Sequence, residues 1–247
     1  MTAIQIESLR KSYGDVTAVD GLSIAVDEGE LFGLLGPNGA GKTTTMEVLT
    51  GQIEPEHGRV AVLGIDPVER PTAVRERVGV LPEKESPPSF VTPREYFDFV
   101  GAVRGVPDDE VDERTETWAE RLGFAEKLDT LATDLSRGQQ QKVMITGAFL
   151  HEPPVVFIDE PLANLDPIVQ ERVKRFLRSY RDAGNTLVVT THDVDVAAEL
   201  CSRVGILHGG DLVADVRPSE LPAGETLLDV FLDRVDATVE RGVPPRD

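Results

Sequence analysis

The sequence contains very little cysteine and no long apolar run. Cys201 is its single cysteine, which excludes a disulfide framework within the chain and indicates a reducing compartment. No stretch approaches the roughly 18 consecutive apolar residues that a membrane-spanning helix needs. A charged start followed by an apolar run is also missing, so we predict that the chain has neither a signal peptide nor a membrane span.

The sequence also has few basic residues compared with acidic ones. The 247 residues include 44 acidic side chains against 25 basic ones, which gives a formal charge of −19. A general nucleic-acid binder needs basic surface for its phosphate contacts, so this balance argues against nucleic acid as a partner. Of the 25 basic residues, 19 are arginines and only 6 are lysines. The lysines are Lys11, Lys42, Lys84, Lys127, Lys142 and Lys174.

The acid excess has two interpretations: an acidic face for a basic partner, or a surface that is acidic throughout, as in proteins of salt-loaded cytosols. Acidic residues occur in almost every block of ten, and no like-charge run reaches five. This even spread favours the salt-adapted interpretation, because carboxylates hold water and ions at a surface. The 40% of hydrophobic residues are enough for a folded core.

Alternating strand and helix patterns predict an α/β fold. Strands are predicted from short apolar or alternating runs, and a helix from the spacing at 42–50 and again at 168–183. A mainly parallel sheet follows, with a smaller antiparallel sheet beside it formed by the early alternating strands. The predicted strands are 4–9, 22–26, 31–35, 59–63, 78–81, 155–158, 186–191, 204–207 and 212–216, the last two forming a hairpin.

The middle of the chain changes in composition. Residues 85–93 are rich in proline and serine, and 94–150 have an almost entirely helical pattern, so an inserted helical subdomain is predicted at about 86–152. A helix is also predicted at about 225–240, followed by a tail at 241–247. We therefore expect a single domain over 1–240.

A glycine-rich segment between a predicted strand and a predicted helix points to a nucleotide. Residues 36–43, Gly-Pro-Asn-Gly-Ala-Gly-Lys-Thr, fit the phosphate-loop pattern G-x-x-x-x-G-K-[ST] in full. Glycines allow successive N–H groups to face one anion, and the helix N-terminus adds its dipole. Lys42 would reach the β and γ phosphates, and Thr43 would bind Mg²⁺. A plain glycine-rich turn is the alternative, but the register of strand and helix disfavours it.

The apolar strand at 155–158 ends in two carboxylates, Asp159 and Glu160. In open α/β sheets ligands bind at the carboxyl ends of the strands, where Asp159 could hold Mg²⁺ opposite Thr43. Glu160 would then orient or deprotonate an attacking water, which suits hydrolysis. Taken alone, such a pair often only marks a strand end.

A third segment, Leu-Ser-Arg-Gly-Gln at 135–139, opens a helix with Ser136 as a natural N-cap. Together with the other two segments it resembles the signature of the ATP-binding subunits of ABC transporters, Leu-Ser-Gly-Gly-Gln. The resemblance covers about residues 4–235, with all the family's motifs in order. It implies a P-loop NTPase core with ATP and Mg²⁺ as ligands.

The resemblance also implies roles for individual residues. Catalytic roles fall on Lys42, Glu160 and the switch histidine His192; Tyr13 would stack on adenine, and Asp166 would communicate across a dimer. Two subunits would stack head to tail, so that Ser136 and Gly138 serve the partner's ATP. The implied nucleotide site comprises Tyr13, Gly36, Pro37, Asn38, Gly39, Ala40, Gly41, Lys42, Thr43, Thr44, Glu83, Ser136, Gly138, Gln139, Asp159 and Asp166, with Thr43, Glu83 and Asp159 as metal ligands.

Two positions depart from the family pattern. Arg137 stands where the signature has its first glycine, and Glu83 stands where the family usually has glutamine. An ionised Glu83 can offer oxygen to Mg²⁺ or water but cannot donate a hydrogen bond. Leu-Pro-Glu at 81–83 and Ala-Asn-Leu-Asp-Pro at 163–167 are similar to exporter branches of the family.

The resulting hypothesis is an ATPase subunit that drives a separate membrane permease, with export favoured and a homodimer expected. The chain would be peripheral, on the cytoplasmic face of the membrane, and held there through the permease. An aromatic cluster near 84–105 could receive the permease or could simply be lobe core: Phe90, Tyr96, Phe97 and Phe99.

Two alternatives to this hypothesis belong to other functional classes. A soluble ABC assembly ATPase remains the alternative. A GTPase or small-molecule kinase is disfavoured, because the chain has no Asn-Lys-x-Asp guanine reader. Cys201 and Trp118 are expected to be packing residues, and His57, His151 and His208 to be surface or loop residues.

Overall fold

The computed structural model describes residues 1–83 and 86–240, with side chains up to residue 237. The predicted tail at 241–247 and Lys84 lie outside the described residues. The strands of the described chain are β1 (Thr2–Tyr13), β2 (Val16–Asp27), β3 (Leu31–Leu35), β4 (His57–Val62), β5 (Val78–Leu81), β6 (Val155–Asp159), β7 (Thr186–Thr191), β8 (Arg203–His208) and β9 (Asp211–Val216). The helices are α1 (Lys42–Leu49), α2 (Pro71–Arg75), α3 (Pro93–Arg104), α4 (Asp108–Leu122), α5 (Arg137–Phe149), α6 (Pro167–Asp182), α7 (Val194–Leu200) and α8 (Leu227–Glu240).

The larger sheet has six strands in the order β5-β6-β7-β3-β8-β9, of which all but the edge strand β9 are parallel. Every residue of β3, β6 and β7 is buried. Layers on both faces explain this burial and the continuous apolar sequence of these strands. The predicted α/β fold with a mainly parallel sheet is confirmed.

The smaller sheet is antiparallel, with the strand order β2-β1-β4. Buried residues alternate with exposed ones along much of β1 and β2, which matches their alternating sequence. The buried side packs with α1 and with one face of the larger sheet, around Ile4, Leu22, Phe32 and Met46. The predicted small antiparallel sheet is also confirmed, and its strands are longer than the sequence pattern indicates.

Helices α3, α4 and α5 pack over the other face of the larger sheet. Thr92 and Ser136 each form a capping box at the start of α3 and α5. An aromatic group of Trp118, Phe149 and Phe176, with ring centroids 4.4–5.7 Å apart, joins α4, α5 and α6. Trp118 and Cys201 are both buried, so their prediction as packing residues is confirmed.

The aromatic cluster predicted near 84–105 divides in two. Phe97 is fully buried and Tyr96 packs against the core. Phe90 and Phe99 are 87% and 65% exposed, so they do not belong to the core of this subdomain.

The structure differs from the sequence-based predictions in two short helices and in the burial of one histidine. Helices α2 and α7 were not predicted, and His208 is buried at the end of β8 rather than exposed. His151 lies in the turn after α5, as predicted, and is half-buried, with Nε2 3.2 Å from the carbonyl oxygen of Val78. His57 is exposed, also as predicted. Among the described residues, no helix has both the length and the apolar character needed to cross a bilayer.

Candidate nucleotide site

The loop between β3 and α1 has glycine where the backbone leaves no room for a side chain. A Cβ on Gly36 would lie 2.4 Å from the carbonyl oxygen of Leu207, and one on Gly41 would lie 2.3 Å from that of Ala18. Gly41 also has φ +101°, a left-handed conformation that glycine tolerates at the start of α1. These contacts fix the loop against β2 and β8 at the carboxyl end of β3.

Lys42 is buried at the first turn of α1. Its ammonium donates hydrogen bonds to the carbonyl oxygens of Gly36 (2.7 Å) and Pro37 (3.0 Å), which holds the side chain across the loop. Burial lowers the pKa of Lys42, and the negative charges of Glu160, Asp159 and Glu83 oppose that shift. The ammonium of Lys42 is thus partly desolvated and lies near carboxylates. Because little water surrounds it, its attraction for a bound anion would be only weakly screened.

Asp159 is the last residue of β6 and is only 6% exposed. One carboxylate oxygen accepts a hydrogen bond from Thr43 Oγ1 (3.2 Å), and the other accepts one from Thr190 Oγ1. The parallel register places Asp159 opposite Thr190 of β7, so the second contact follows from strand pairing. A buried carboxylate needs such donors to offset its desolvation.

Glu160 has φ +50°, which is unusual for a residue with a side chain. Its Oε2 accepts a hydrogen bond from Thr191 Oγ1 (3.0 Å), and its Oε1 accepts one from the backbone N–H of His192 (2.9 Å). The ring Nδ1 of His192 lies 2.6 Å from the same Oε1. Strained backbone of this kind is found where surrounding contacts hold a functional side chain in a set direction.

A cleft of about 500 Å³ collects most of the predicted nucleotide residues. Gly36 and Pro37 are not among its lining residues but hold Lys42 through their carbonyl oxygens. The cleft is lined by Tyr13, Val16, Ala18, Asn38, Gly39, Ala40, Gly41, Lys42, Thr43, Thr44, Glu83, Asp159, Glu160 and His192.

The donor set of this cleft fits Mg²⁺ that arrives with a nucleotide. Thr43 Oγ1 and Asp159 Oδ2 are 3.2 Å apart, a separation that two ligands of one cation can have. No group of three or more acidic, cysteine or histidine side chains in the described chain could hold a metal without further ligands. Phosphate oxygens and water would supply the rest of the shell, as is usual for Mg²⁺.

The residues of the signature segment lie outside this cleft. Ser136 caps α5 by accepting from the backbone N–H of Gln139 (3.3 Å), and the side chain of Gln139 accepts from the N–H of Ser136 (2.9 Å). A Cβ on Gly138 would come within 2.8 Å of the carbonyl oxygen of Asn164. Asp166 caps α6, with hydrogen bonds of 3.1 Å from two backbone N–H groups.

Thr190 and Thr191 take part in the site although the sequence reading assigns them no role. Their hydroxyls hold Asp159 and Glu160, and Thr191 Oγ1 also accepts a hydrogen bond of 3.0 Å from the N–H of Asp193. The available signal was a pair of hydroxyls at the carboxyl end of an otherwise apolar strand, directly before His192.

The chain is similar to known ATP-binding subunits. The sequence model of the ABC transporter family matches residues 19–163. Nod factor export ATP-binding protein I of Paraburkholderia xenovorans (strain LB400) is 36% identical over 229 residues, which are 93% of this chain and 75% of the relative. The probable multidrug ABC transporter ATP-binding protein YbhF of Escherichia coli (strain K12) is 34% identical over 222 residues, 90% of this chain but only 38% of that protein.

Solved structures give the same result for the fold. An ATP-binding subunit of an ABC transporter has a TM-score of 0.87 at 26% identity, covering 94% of this chain and 99% of its own. A dimeric ATP-binding cassette bound to ADP and Pi has a TM-score of 0.80 at 23% identity, covering 87% of this chain and 98% of its own, and supports the fold alone.

Proposed function

Because the chain belongs to the ABC transporter family, as an ATP-binding subunit, we propose that it hydrolyses Mg-ATP and thereby drives a separate membrane permease. The observation that carries this proposal is the convergence of Lys42, Thr43, Asp159, Glu160 and His192 on one cleft. These side chains come from the ends of two strands, β6 and β7, and from the start of helix α1, and together they provide cation, hydroxyl, carboxylate and imidazole.

Binding is the first function that we propose for the cleft. The phosphates would lie on the loop at the start of α1, where Lys42 exchanges its carbonyl contacts for phosphate oxygens. Thr43 and Asp159 would hold Mg²⁺, with Glu83 as a further oxygen ligand; the ion would neutralise phosphate charge. Tyr13, about half exposed on the cleft wall, would stack on the adenine.

Hydrolysis is the second function. Glu160 would act as the general base for the attacking water, since its carboxylate is already directed by Thr191 and by the N–H of His192. His192 is exposed towards the cleft and would contact the γ phosphate. The contact between His192 Nδ1 and Glu160 Oε1 holds the imidazole next to the proposed base.

We further propose that two copies stack head to tail. The N-terminus of α5, capped by Ser136, is a site for negative charge because of the helix dipole and its free N–H groups. Ser136, Gly138 and Gln139 lie away from the chain's own cleft, which supports their use on the partner's ATP. Asp166 would then lie at the dimer contact, and a symmetric homodimer would have two complete sites.

Transport is supported by the relatives and by the surface. The two relatives reported above are a Nod factor export ATP-binding protein and a probable multidrug ABC transporter ATP-binding protein, so we propose export and a peripheral position on the cytoplasmic face, held by the permease. The exposed Phe90 and Phe99 offer this permease an apolar contact. A soluble assembly ATPase is the alternative, and copurification separates the two: a chain that never enriches in detergent-extracted membranes contradicts transport.

Glu160→Gln tests the catalytic proposal. The amide cannot accept a proton from water, so we expect ATP hydrolysis to fall by roughly 100-fold or more while ATP binding persists. An ATP-dependent dimer should then accumulate and be visible by size-exclusion chromatography. Glu126→Gln, an exposed glutamate on the helical subdomain, is the matched control and should retain wild-type turnover. Normal hydrolysis by Glu160→Gln would remove Glu160 from the catalytic role.

A further inference from the structure

Two arginines on the exposed face of α6 have no acidic partner. Arg172 and Arg175 are exposed one turn apart and, within the described residues, form neither a hydrogen bond nor an ion pair. The other basic residues of α6 each pair with a carboxylate: Lys174, Arg178 and Arg181. In a chain with a formal charge of −19, two neighbouring unpaired guanidinium groups form a local positive patch that attracts an acidic surface.

The surface around these arginines combines apolar and positively charged groups. Together with Pro167, Ile168 and Glu171 they line a groove of about 440 Å³. Ile168 is 68% exposed, and Glu171 already pairs with Lys174, so the carboxylate of the groove is engaged. Arginine is enriched in protein–protein contacts, and an apolar side chain beside it adds area that a contact would remove from water. The groove therefore suits another protein surface that carries carboxylates.

The start of α6 is joined to the start of α5. Helix α6 begins at Pro167, directly after Asp166, and a Cβ on Gly138 would come within 2.8 Å of the carbonyl oxygen of Asn164. The loop before α6 thus packs directly on the first turn of α5. A partner that approaches the N-terminus of α5 must also meet the start of α6, and in the proposed head-to-tail dimer that partner is a second copy of the chain.

The rim of the nucleotide cleft offers carboxylates for this contact. His192 lines the cleft, and the exposed Asp193 and Asp195 follow it at the start of α7. Asp193 uses one carboxylate oxygen to cap α7. The side chain of Asp195 has no hydrogen-bond or ion-pair partner in the part of the chain that the structure describes. Free carboxylate oxygens therefore lie beside the cleft that α5 of a second copy would approach.

We propose that the face of α6 formed by Ile168, Arg172 and Arg175 docks on a second copy of this chain, with its guanidinium groups paired to the carboxylates of the partner's Asp193 and the partner's Asp195. This inference rests on the proposed head-to-tail dimer, and it adds a contact that lets two chains of formal charge −19 approach each other. A two-fold axis repeats the contact in both halves of the dimer. Such pairs also select the orientation, because a wrong approach would set carboxylate against carboxylate.

Charge reversal in separate chains tests whether the pairing crosses between copies. Arg172→Glu and Asp195→Arg are each introduced into the Glu160→Gln chain, and dimerisation is measured by analytical ultracentrifugation with saturating Mg-ATP. Each variant alone sets like charges opposite each other in both contacts, so we expect its dimer association constant to fall roughly tenfold or more. An equimolar mixture of the two variants can form a heterodimer in which both contacts join opposite charges. We expect this mixture to dimerise nearly as strongly as Glu160→Gln alone.

Further variants separate the pairing from general effects of charge and folding. Arg59→Glu makes the same charge change at an exposed arginine of β4 and should leave dimerisation unchanged. Arg175→Glu alters the same face one turn further along α6 and should act like Arg172→Glu. Circular dichroism and calorimetric titration with Mg-ATP establish that each variant folds and binds nucleotide.

The outcomes distinguish this contact from the proposed dimer itself. Single variants that dimerise like Arg59→Glu, or a mixture that dimerises no better than its separate components, would overturn the pairing and leave the head-to-tail dimer in place. A Glu160→Gln chain that binds Mg-ATP but stays monomeric would overturn the proposed dimer and this contact together.

Discussion

Thr190→Val probes the support of the buried Asp159 carboxylate. The two side chains have nearly the same shape, and Thr190 is completely buried in β7, where valine is well accommodated. The substitution therefore removes the hydroxyl that donates to Asp159 Oδ1 and little else. Thr43, at 3.2 Å from the other oxygen, remains as the only side-chain donor that the structure gives this carboxylate within the described residues.

The expected loss is that of a hydrogen bond to a charged and buried group. Such bonds contribute about 1.5–3 kcal/mol, because the carboxylate left behind still bears its desolvation. For a chain of this length, a loss of about 2 kcal/mol lowers the melting temperature by about 4–8 °C. We also expect Mg-ATP to bind about tenfold more weakly, since contacts that orient a metal ligand have effects of that size.

Thr146→Val is the matched control. Thr146 is as buried as Thr190, but its hydroxyl donates to a helical carbonyl oxygen, that of Lys142 at 3.0 Å. Losing this neutral bond should cost about 1 kcal/mol or less and leave nucleotide binding intact. Both variants are compared by thermal and denaturant unfolding and by calorimetric titration with Mg-ATP. Equal destabilisation in the two variants, with unchanged Mg-ATP affinity, would refute the support of Asp159 by Thr190.

Three further measurements check other parts of the structure. Burial, with the nearby positive charge of Arg104, lowers the pKa of His151 to about 4. Between pH 6.5 and 4 this imidazole is protonated mainly in the unfolded chain, so the free energy of unfolding should fall by at most about 3 kcal/mol as the pH is lowered through that range. His151→Gln should flatten this dependence of the unfolding free energy on pH. Tyr13→Ala should weaken ATP binding roughly tenfold while Tyr13→Phe retains it, because stacking needs the ring and not the hydroxyl. Stability and ATPase activity should both decline when salt is removed, because the repulsion among the 44 acidic side chains is then unscreened; full stability in dilute buffer would contradict a salt-adapted surface.

The sequence predicted what local patterns encode. The phosphate loop and β6 carry their own spacing and apolar runs, so the positions of Lys42, Thr43 and Asp159 at strand and helix ends follow from neighbouring residues. The contacts that complete the site join β6 to β7, which are 31 residues apart at Asp159 and Thr190. No local pattern states which strand pairs with which, so the roles of Thr190 and Thr191 became visible only in the sheet.

Short elements were missed for a related reason. Helix α7 has 7 residues, too few for a clear apolar period, and it is stabilised by Asp193, which accepts hydrogen bonds from the N–H groups of Asp195 (2.9 Å) and Val196 (3.1 Å). His208 is the last residue of a buried strand and is enclosed by the fold around the hairpin, although a histidine before two glycines reads as a turn. Tertiary burial overrides the local preference in both cases.

The nucleotide cleft is lined by more negative than positive side chains. Three carboxylates line it, Glu83, Asp159 and Glu160, and Lys42 is the single lysine or arginine among the lining residues of the described chain. At neutral pH such a surface would repel a bare polyphosphate, so binding must draw positive potential from elsewhere. The N–H groups of the loop and the dipole of α1 supply part of it, and Mg²⁺ would supply more, between phosphates and carboxylates. In the proposed dimer, the N-terminus of the partner's α5 would be a further source of positive potential, because a helix dipole and the free N–H groups of a first helical turn attract negative charge.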